Sequence, residues 1–168
     1  VYNNSRTICV ILDNSITAMT GHQNNPGNGL NAKGEIANAT SIETVVRAIG
    51  IQHLWIVNPN QLDEVDHALD QALDLDVPSV IIARYPCALK RLSEAEKQAY
   101  QNPFTKHCYV EAETCIGCRA CLRCGCPALA FDRRTKKAYI DPVQCVGCTI
   151  CAQICPKQAI QTEGRDQA

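Results

Sequence analysis

Nine of the twelve cysteines in this 168-residue chain crowd between Cys115 and Cys155, and their spacing limits what that stretch can become. One run is Cys145-x2-Cys148-x2-Cys151-x3-Cys155, closed by Pro156. An earlier run is Cys115-x2-Cys118-x2-Cys121-x4-Cys126, closed by Pro127, with one residue more before its Cys-Pro. Gly117 and Gly147 stand in matching places, so the two runs form an internal repeat. So many thiols at short spacing either ligate metal or cross-link. The residues Val1 to Arg6 lack the charged-then-apolar pattern of a secretion signal, which makes a disulfide framework the weaker reading. Structural zinc prefers Cys-x2-4-Cys pairs separated by longer stretches, and triplets at two-residue gaps match that poorly.

The run from Cys145 is that of bacterial-type two-cluster ferredoxins, in which the fourth cysteine ligates the other cluster. Three thiolates on a tight loop can hold three irons of one cubane, while the fourth points away and the proline ends the loop. Crosswise ligation then expects one [4Fe–4S] cluster on Cys115, Cys118, Cys121 and Cys155. It expects a second on Cys126, Cys145, Cys148 and Cys151. Cys124 offers an alternative fourth ligand. Cys126 is preferred because its Cys-Pro-Ala parallels Cys155-Pro156-Lys157, leaving Cys124 an unligated thiol near the cluster. Iron–sulfur clusters exchange single electrons, so two in one small domain make a relay.

The rest of the chain has a different character. Residues 1–89 alternate strand-like runs (Thr7 to Leu12, Leu54 to Val57, Pro78 to Ala83) with helix-like ones (Ser41 to Ile49, and Leu62, Val65, Leu69, Ala72, Leu73 at helical spacing). This order predicts an α/β fold with a parallel sheet covered on both faces. Ligands of such sheets sit beyond the carboxyl ends of the strands, which marks Asp13, Asn14 and the Gly/Asn/Pro-rich loop from Gly21 to Gly34. A polar helix, Ser93 to Tyr100, is expected within a linker at 90–106, ending at Asn102-Pro103. A small α+β, two-cluster ferredoxin-like domain is expected at 107–164, with a hairpin between Ala130 and Ile140. A frayed tail is expected at 165–168. Cys9 and Trp55, in apolar runs, read as core; Cys87 and Cys108 have no partner spacing and read as structural. A start at Val1 that runs almost at once into an apolar strand suggests a piece of a longer protein.

The segment Leu12-Asp13-Asn14-Ser15-Ile16-Thr17-Ala18-Met19-Thr20-Gly21-His22-Gln23 resembles the thiamine-diphosphate segment of the 2-oxoacid:ferredoxin oxidoreductases. Within these it is most similar to the indolepyruvate type, as is the stretch Pro78 to Leu89. The domain order agrees, with the thiamine domain first and the two-cluster domain last. The resemblance implies that 1–89 is the C-terminal portion of a thiamine-diphosphate domain. It implies a Mg²⁺ ion held by the side-chain oxygen of Asn14 and the backbone carbonyl of Ile16, a chemistry that suits a hard cation and leaves room for phosphate oxygens. Met19 and Thr20 would lie near the cofactor's reactive ring, with His22 nearby. Read without the resemblance, Asn14 is a turn residue, Met19 a packing residue and His22 a solvated one. The family also uses an upstream Gly-Asp segment and an activating Glu that this chain lacks, so the piece alone is expected to be inactive.

The whole enzyme that the resemblance implies oxidatively decarboxylates an aryl 2-oxoacid, expected to be indolepyruvate, to an acyl-coenzyme A. Its expected partners are a smaller beta subunit, an external ferredoxin, coenzyme A and the 2-oxoacid. The rival expectations are a free-standing two-cluster electron carrier, a sister enzyme acting on pyruvate or 2-oxoglutarate, and, weakest, a zinc-organised structural protein. A net charge of -1 gives no general pull toward nucleic acid. No apolar run is long enough to span a membrane. A cytoplasmic location is expected.

Overall fold

The computed structural model describes residues 1–3, 5–101 and 103–164. The expected tail at 165–168 and the helix stop at Asn102 lie outside the described residues. The chain divides into two compact units, Val1–Arg91 and Leu92–Ala168.

The first unit is a three-stranded parallel sheet. Its strands are β1 (Ile8–Asp13), β2 (His53–Val57) and β3 (Ser79–Arg84), in the spatial order β1-β3-β2. The central strand β3 reads Ser-Val-Ile-Ile-Ala-Arg and is buried from Ser79 through Ala83. Its side chains alternate between two cores. Val80 and Ile82 pack with Val46 and Ile51, on the side of helix α1 (Ile42–Ala48). Ile81 and Ala83 pack with Ala68 and Ala72 of helix α2 (Leu62–Leu73). Burying an Ile side chain contributes about 1.5–3 kcal/mol, so a double-sided β3 is the main stabilising element of the unit. Ser41 caps α1 by accepting a hydrogen bond from the amide of Thr44, worth about 1 kcal/mol. Trp55 packs against the α2-side core and donates its indole N–H to Gln71 Oε1 at 2.8 Å.

The edge strand departs from expectation. Cys9 is exposed rather than core, and so are Val10 and Leu12. On this edge strand only Ile8 and Ile11 pack against the two cores, and the apolar side chains of Cys9, Val10 and Leu12 stay open. Cys9 lies on the α1 side, lining an open groove with Ile11, Val46 and Val80.

The second unit starts with helix α3 (Glu94–Ala99), closed by a reciprocal capping box between Ser93 and Glu96. Strand β4 (Lys106–Val110) pairs antiparallel with the last strand, β7 (Ile160–Gly164). Between them lies the hairpin of β5 (Leu129–Asp132) and β6 (Lys137–Ile140). A 3-10 turn at Ala120–Cys124 holds Cys121, the third cysteine of the first triplet, and the short helix α4 (Ile150–Ile154) holds Cys151, the third of the second. The core of this unit is built from cysteines and small residues: Cys108, Cys115, Cys121, Ala128, Leu129, Ala138, Cys145, Cys151, Ala159 and Ile160.

The repeat seen in the Cys runs extends back to the stretches that precede them. Lys106-His107-Cys108-Tyr109-Val110-Glu111 stands to Cys145 and its loop's partner as Lys136-Lys137-Ala138-Tyr139-Ile140-Asp141 stands to the other half. In each half the amide of the first cysteine bonds back to an acidic residue's carbonyl: Cys115 to Glu111 and Cys145 to Asp141, both at 3.0 Å. The amides of those acids bond in turn to Ala159 and Ala128, each at 2.8 Å, so each half is tied to the end of a Cys-Pro segment.

Candidate functional site

Each Cys triplet is shaped by the same backbone device. Gly117 (φ +69°) and Gly147 (φ +72°) take left-handed conformations, and a β-carbon on either would strike a carbonyl oxygen: Lys136 O at 2.2 Å or Lys106 O at 2.3 Å. Only glycine permits that approach. Two residues on, Arg119 and Thr149 are also left-handed, each at φ +64°, and turn the chain into the 3-10 turn and α4. Successive left-handed turns fold each loop around its thiols.

The fold brings the expected first set together. Cys115, Cys118, Cys121 and Cys155 line one cavity, whose other walls include Val110, Ala138 and Ile160. Cys155 comes from the second run, so the crosswise arrangement is present in the geometry. Of the second set, Cys126 and Cys145 act electrostatically on Cys148, and Cys148 and Cys124 on Cys151. The thiols surround a space rather than meet at a point; among the described residues no three His, Cys, Asp or Glu side chains are placed to hold a single metal ion. An apolar cavity walled by four thiols fits a cubane, whose four irons each need one outward-facing ligand.

Backbone amides point at these sulfurs. Cys145 Sγ accepts from the amides of Cys108 (3.2 Å) and Gly147 (3.4 Å), and Cys155 Sγ from the amide of Ala159 (3.3 Å). Burial pushes the Cys121 and Cys148 thiols up, each reinforced by its neighbouring thiols. A hydrogen bond with Cys108, and then burial, push up Cys151. A bound metal ion reverses that preference by deprotonating its thiol ligand outright.

The two halves differ at the fourth cysteine. The amide of Cys155 bonds to Ala152 O, and its carbonyl accepts from the amide of Gln158. In the first half those two roles fall on successive residues: Gly125 donates to Leu122 O, and Cys126 accepts from Leu129. One inserted residue therefore splits the position of Cys155 between Gly125 and Cys126, with Cys124 on the other flank.

Sequence reasoning placed Cys108 among structural residues and missed its neighbourhood. It is 1% exposed, its amide serves Cys145, and its side chain hydrogen-bonds that of Cys151. Aligning the two halves from Cys115 and Cys145 outward would have flagged it, because it falls opposite Ala138.

In the first unit, a second cavity opens beyond the carboxyl ends of β1 and β3. It is lined by Asp13, Asn14, Ile16, Ser41, Glu43 and Arg84, among others. Arg84 joins three elements, donating Nε to Asp13 Oδ2 (2.7 Å) and a bidentate pair to the two carboxylate oxygens of Glu43 (2.8 and 3.1 Å). That bidentate bond holds the Glu43 carboxyl down at about 2. Asn14 Oδ1 accepts from the amide of Ile16 at 3.2 Å, which is the turn role its sequence context suggested. An amide oxygen has a second lone pair, so a cation at that atom is compatible with the turn. Met19, Thr20 and His22 do not line this cavity; they stand on an exposed loop tied by the Thr17–Gln23 bridge. Met19 is fully exposed there, and Thr20 Oγ1 is 2.5 Å from Gln23 Oε1.

Comparison with known proteins agrees with this division. Residues 1–83 match the thiamine pyrophosphate enzyme C-terminal binding domain, and residues 114–159 match the 4Fe-4S dicluster domain. Subunit IorA of indolepyruvate oxidoreductase from Pyrococcus horikoshii is 38% identical over 162 residues, 96% of this chain and 24% of its own. The same subunit from Archaeoglobus fulgidus is 41% identical over 164 residues, 96% of this chain and 25% of its own.

The chain is similar over nearly its whole length to the indolepyruvate oxidoreductase subunit IorA.

It spans about a quarter of the length of the IorA subunits it matches. The IorA subunit from Methanothermobacter marburgensis adds a third match, 40% identical over 166 residues, 98% of this chain and 25% of its own. Among solved structures, oxidised Desulfovibrio africanus ferredoxin I is 29% identical over 36% of this chain and 98% of its own, with a TM-score of 0.30. Among the described residues no helix is long and apolar enough to cross a membrane.

Proposed function

We propose that this chain is the thiamine-to-cluster portion of a 2-oxoacid:ferredoxin oxidoreductase of the indolepyruvate type, and that its second unit relays electrons through two [4Fe–4S] clusters. The observation that carries the reading is the cavity shared by Cys115, Cys118, Cys121 and Cys155. It joins thiols from both runs in the crosswise pattern of two-cluster ferredoxins. On this reading Cys126 completes the second set with Cys145, Cys148 and Cys151. The clusters supply one-electron exchange, while the amides of Cys108, Gly147 and Ala159 stabilise charge on the ligand sulfurs.

Thiamine diphosphate supplies the carbanion chemistry of decarboxylation when bound. The part of its site present here is the cavity at Asn14 and Ile16. Asn14 Oδ1 and the Ile16 carbonyl are hard oxygen donors suited to Mg²⁺. Arg84 fixes Asp13 and α1 around the cavity mouth through its bonds to Asp13 and Glu43. Met19, Thr20 and His22, on the loop after Asn14, are assigned to the cofactor's neighbourhood by the family resemblance alone.

The domain limits follow the same reading: 1–89 for the thiamine portion, 90–106 for the linker, and 107–164 for the cluster domain. The partners are a smaller beta subunit, external ferredoxin, coenzyme A and an aryl 2-oxoacid, in a cytoplasmic setting. The assay that tests it uses the intact complex with ferredoxin and coenzyme A. Coenzyme-A-dependent ferredoxin reduction with indolepyruvate is the expected result. Reduction with pyruvate and none with indolepyruvate or phenylpyruvate would defeat the substrate assignment.

A further inference from the structure

Cations crowd the first Cys loop. Arg119 and Lys157 line the cavity of Cys115, Cys118, Cys121 and Cys155. Arg119 is held by its guanidinium, 4.1 Å from the centre of the Phe131 ring. Lys137 donates its Nζ to the carbonyl of Cys115. Arg133, Arg134 and Lys136 lie in the turn between β5 and β6, and the carbonyl of Lys136 is the one pressed against Gly117. All of these but Lys137 are exposed. Among the described residues none of them forms an ion pair.

The internal repeat supplies a control. In the register that sets Gly117 on Gly147 and Lys136 on Lys106, the places of Arg119, Arg133, Arg134 and Lys137 fall to Thr149, Pro103, Phe104 and His107. Ala128 follows the first Cys-Pro as Lys157 follows the second. His107 is already paired with Glu163, at 2.8 Å. Two cubanes of one kind carry the same charge, so balancing that charge does not account for a rim built in one half alone. The first loop is also the more open. Cys118 is exposed where Cys148 is half-buried, and Ile116 is 60% exposed against 38% for Val146. An apolar tip beside a polar rim is the layout of a protein interface. A rim of one sign attracts a partner of the other and speeds its encounter. Cys118, between Gly117 and Arg119, brings the first thiol set to that same surface, which favours a partner that takes electrons.

Resting on the two-cluster reading, we propose that Arg119, Arg133, Arg134, Lys136 and Lys157, with Ile116, form the docking surface for a small, carboxylate-rich electron-carrier protein, and that the first cluster is the one from which electrons leave. One electron passes from the reduced first cluster, which is thereby oxidised, to the carrier, which is reduced. No bond forms or breaks.

The test mixes the intact enzyme, reduced with dithionite and freed of it, with an oxidised acidic flavodoxin, whose semiquinone absorbance is distinct from that of the clusters. The second-order rate constant is followed against ionic strength, with iron counted in every variant. It is expected to fall at least about tenfold between about 0.05 M and about 0.5 M salt. Arg133→Glu/Arg134→Glu/Lys136→Glu is expected to keep its iron, to lower the low-salt rate constant at least about tenfold and to flatten the salt dependence. Its reduction of methyl viologen, a small cation, should be undiminished. Lys106→Glu, the matching side chain of the other half, should stay within about twofold of the unsubstituted rate constant. If the triple variant loses iron, Arg133→Gln/Arg134→Gln on the exposed turn is read in its place, with a loss of about threefold or more expected. A salt-independent rate, an unslowed triple variant or an equal loss in Lys106→Glu would each overturn the proposal. So would a matching loss with methyl viologen, which would place the defect in the cluster rather than in docking. Absence of cluster signals from the unsubstituted enzyme would instead defeat the two-cluster reading on which this inference rests.

Discussion

Gly147 lies so close to Lys106 that a β-carbon on the glycine would sit 2.3 Å from the lysine's carbonyl oxygen. The same relationship recurs between Gly117 and Lys136, at 2.2 Å. In both cases the obstacle is backbone, which cannot swing aside as a side chain could. Each Cys loop is thus pressed against the strand that backs it.

Gly147→Ala is therefore expected to displace the second loop and cost one cluster. Iron per chain should fall from about eight to about four. Gly117→Ala should do the same to the first loop. Retention of full iron in either variant would mean the loop tolerates a shift that its glycine geometry argues against.

The split between Gly125 and Cys126 bears on the fourth ligand of the second cluster. Cys126 shares with Cys155 the carbonyl that closes the turn after each Cys-Pro. Cys126→Ser is expected to lose about four irons and Cys124→Ser to lose none. Iron loss confined to Cys124→Ser would reverse the assignment.

Arg84 grips Glu43 with two hydrogen bonds, and the Glu43 carboxyl is held at about 2, below its ordinary 4.5. A carboxylate whose folded value is depressed stabilises the fold fully above its unfolded value. That contribution is lost as pH falls from about 4.5 toward about 2. Glu43→Gln is expected to flatten the acid limb of the first unit's unfolding profile in that window. The effect should be modest, because both partners retain about a quarter of their side-chain exposure and solvent screens the pair. An unchanged acid limb would show that the pair does not hold α1 to β3.

Ser79 opens the central strand at 1% exposure, and its hydroxyl has no hydrogen-bond partner among the described residues. A buried hydroxyl without a partner carries a desolvation cost of about 1–3 kcal/mol. Ser79→Ala is expected to stabilise the first unit by about 1 kcal/mol, read as a higher denaturation midpoint. A lower midpoint would mean the hydroxyl is satisfied in solution.

Much of this was legible in the sequence because it depends on local signals. The continuous apolar run of β3, the Ser41 cap and the Ser93–Glu96 capping box each specify their element within a few residues. The strands β4 and β7 were not anticipated, because their pairing joins the two ends of the unit and neither has strict alternation. Cys9 reads as core by composition, yet edge position decides its exposure, and that is a property of the sheet order. At the site, the cysteines proposed as ligands stand out by their spacing. Cys108 does not, since its burial beside Cys145 arises from a register between halves rather than from any motif around it.

Iron and acid-labile sulfide per chain, measured on anaerobically prepared protein together with its electron paramagnetic resonance spectrum after dithionite, tests the central claim most directly. About eight irons with the signals of two interacting cubanes is the result expected of the crosswise thiol sets. Zinc in place of iron, or iron for a single cubane, would contradict the two-cluster relay.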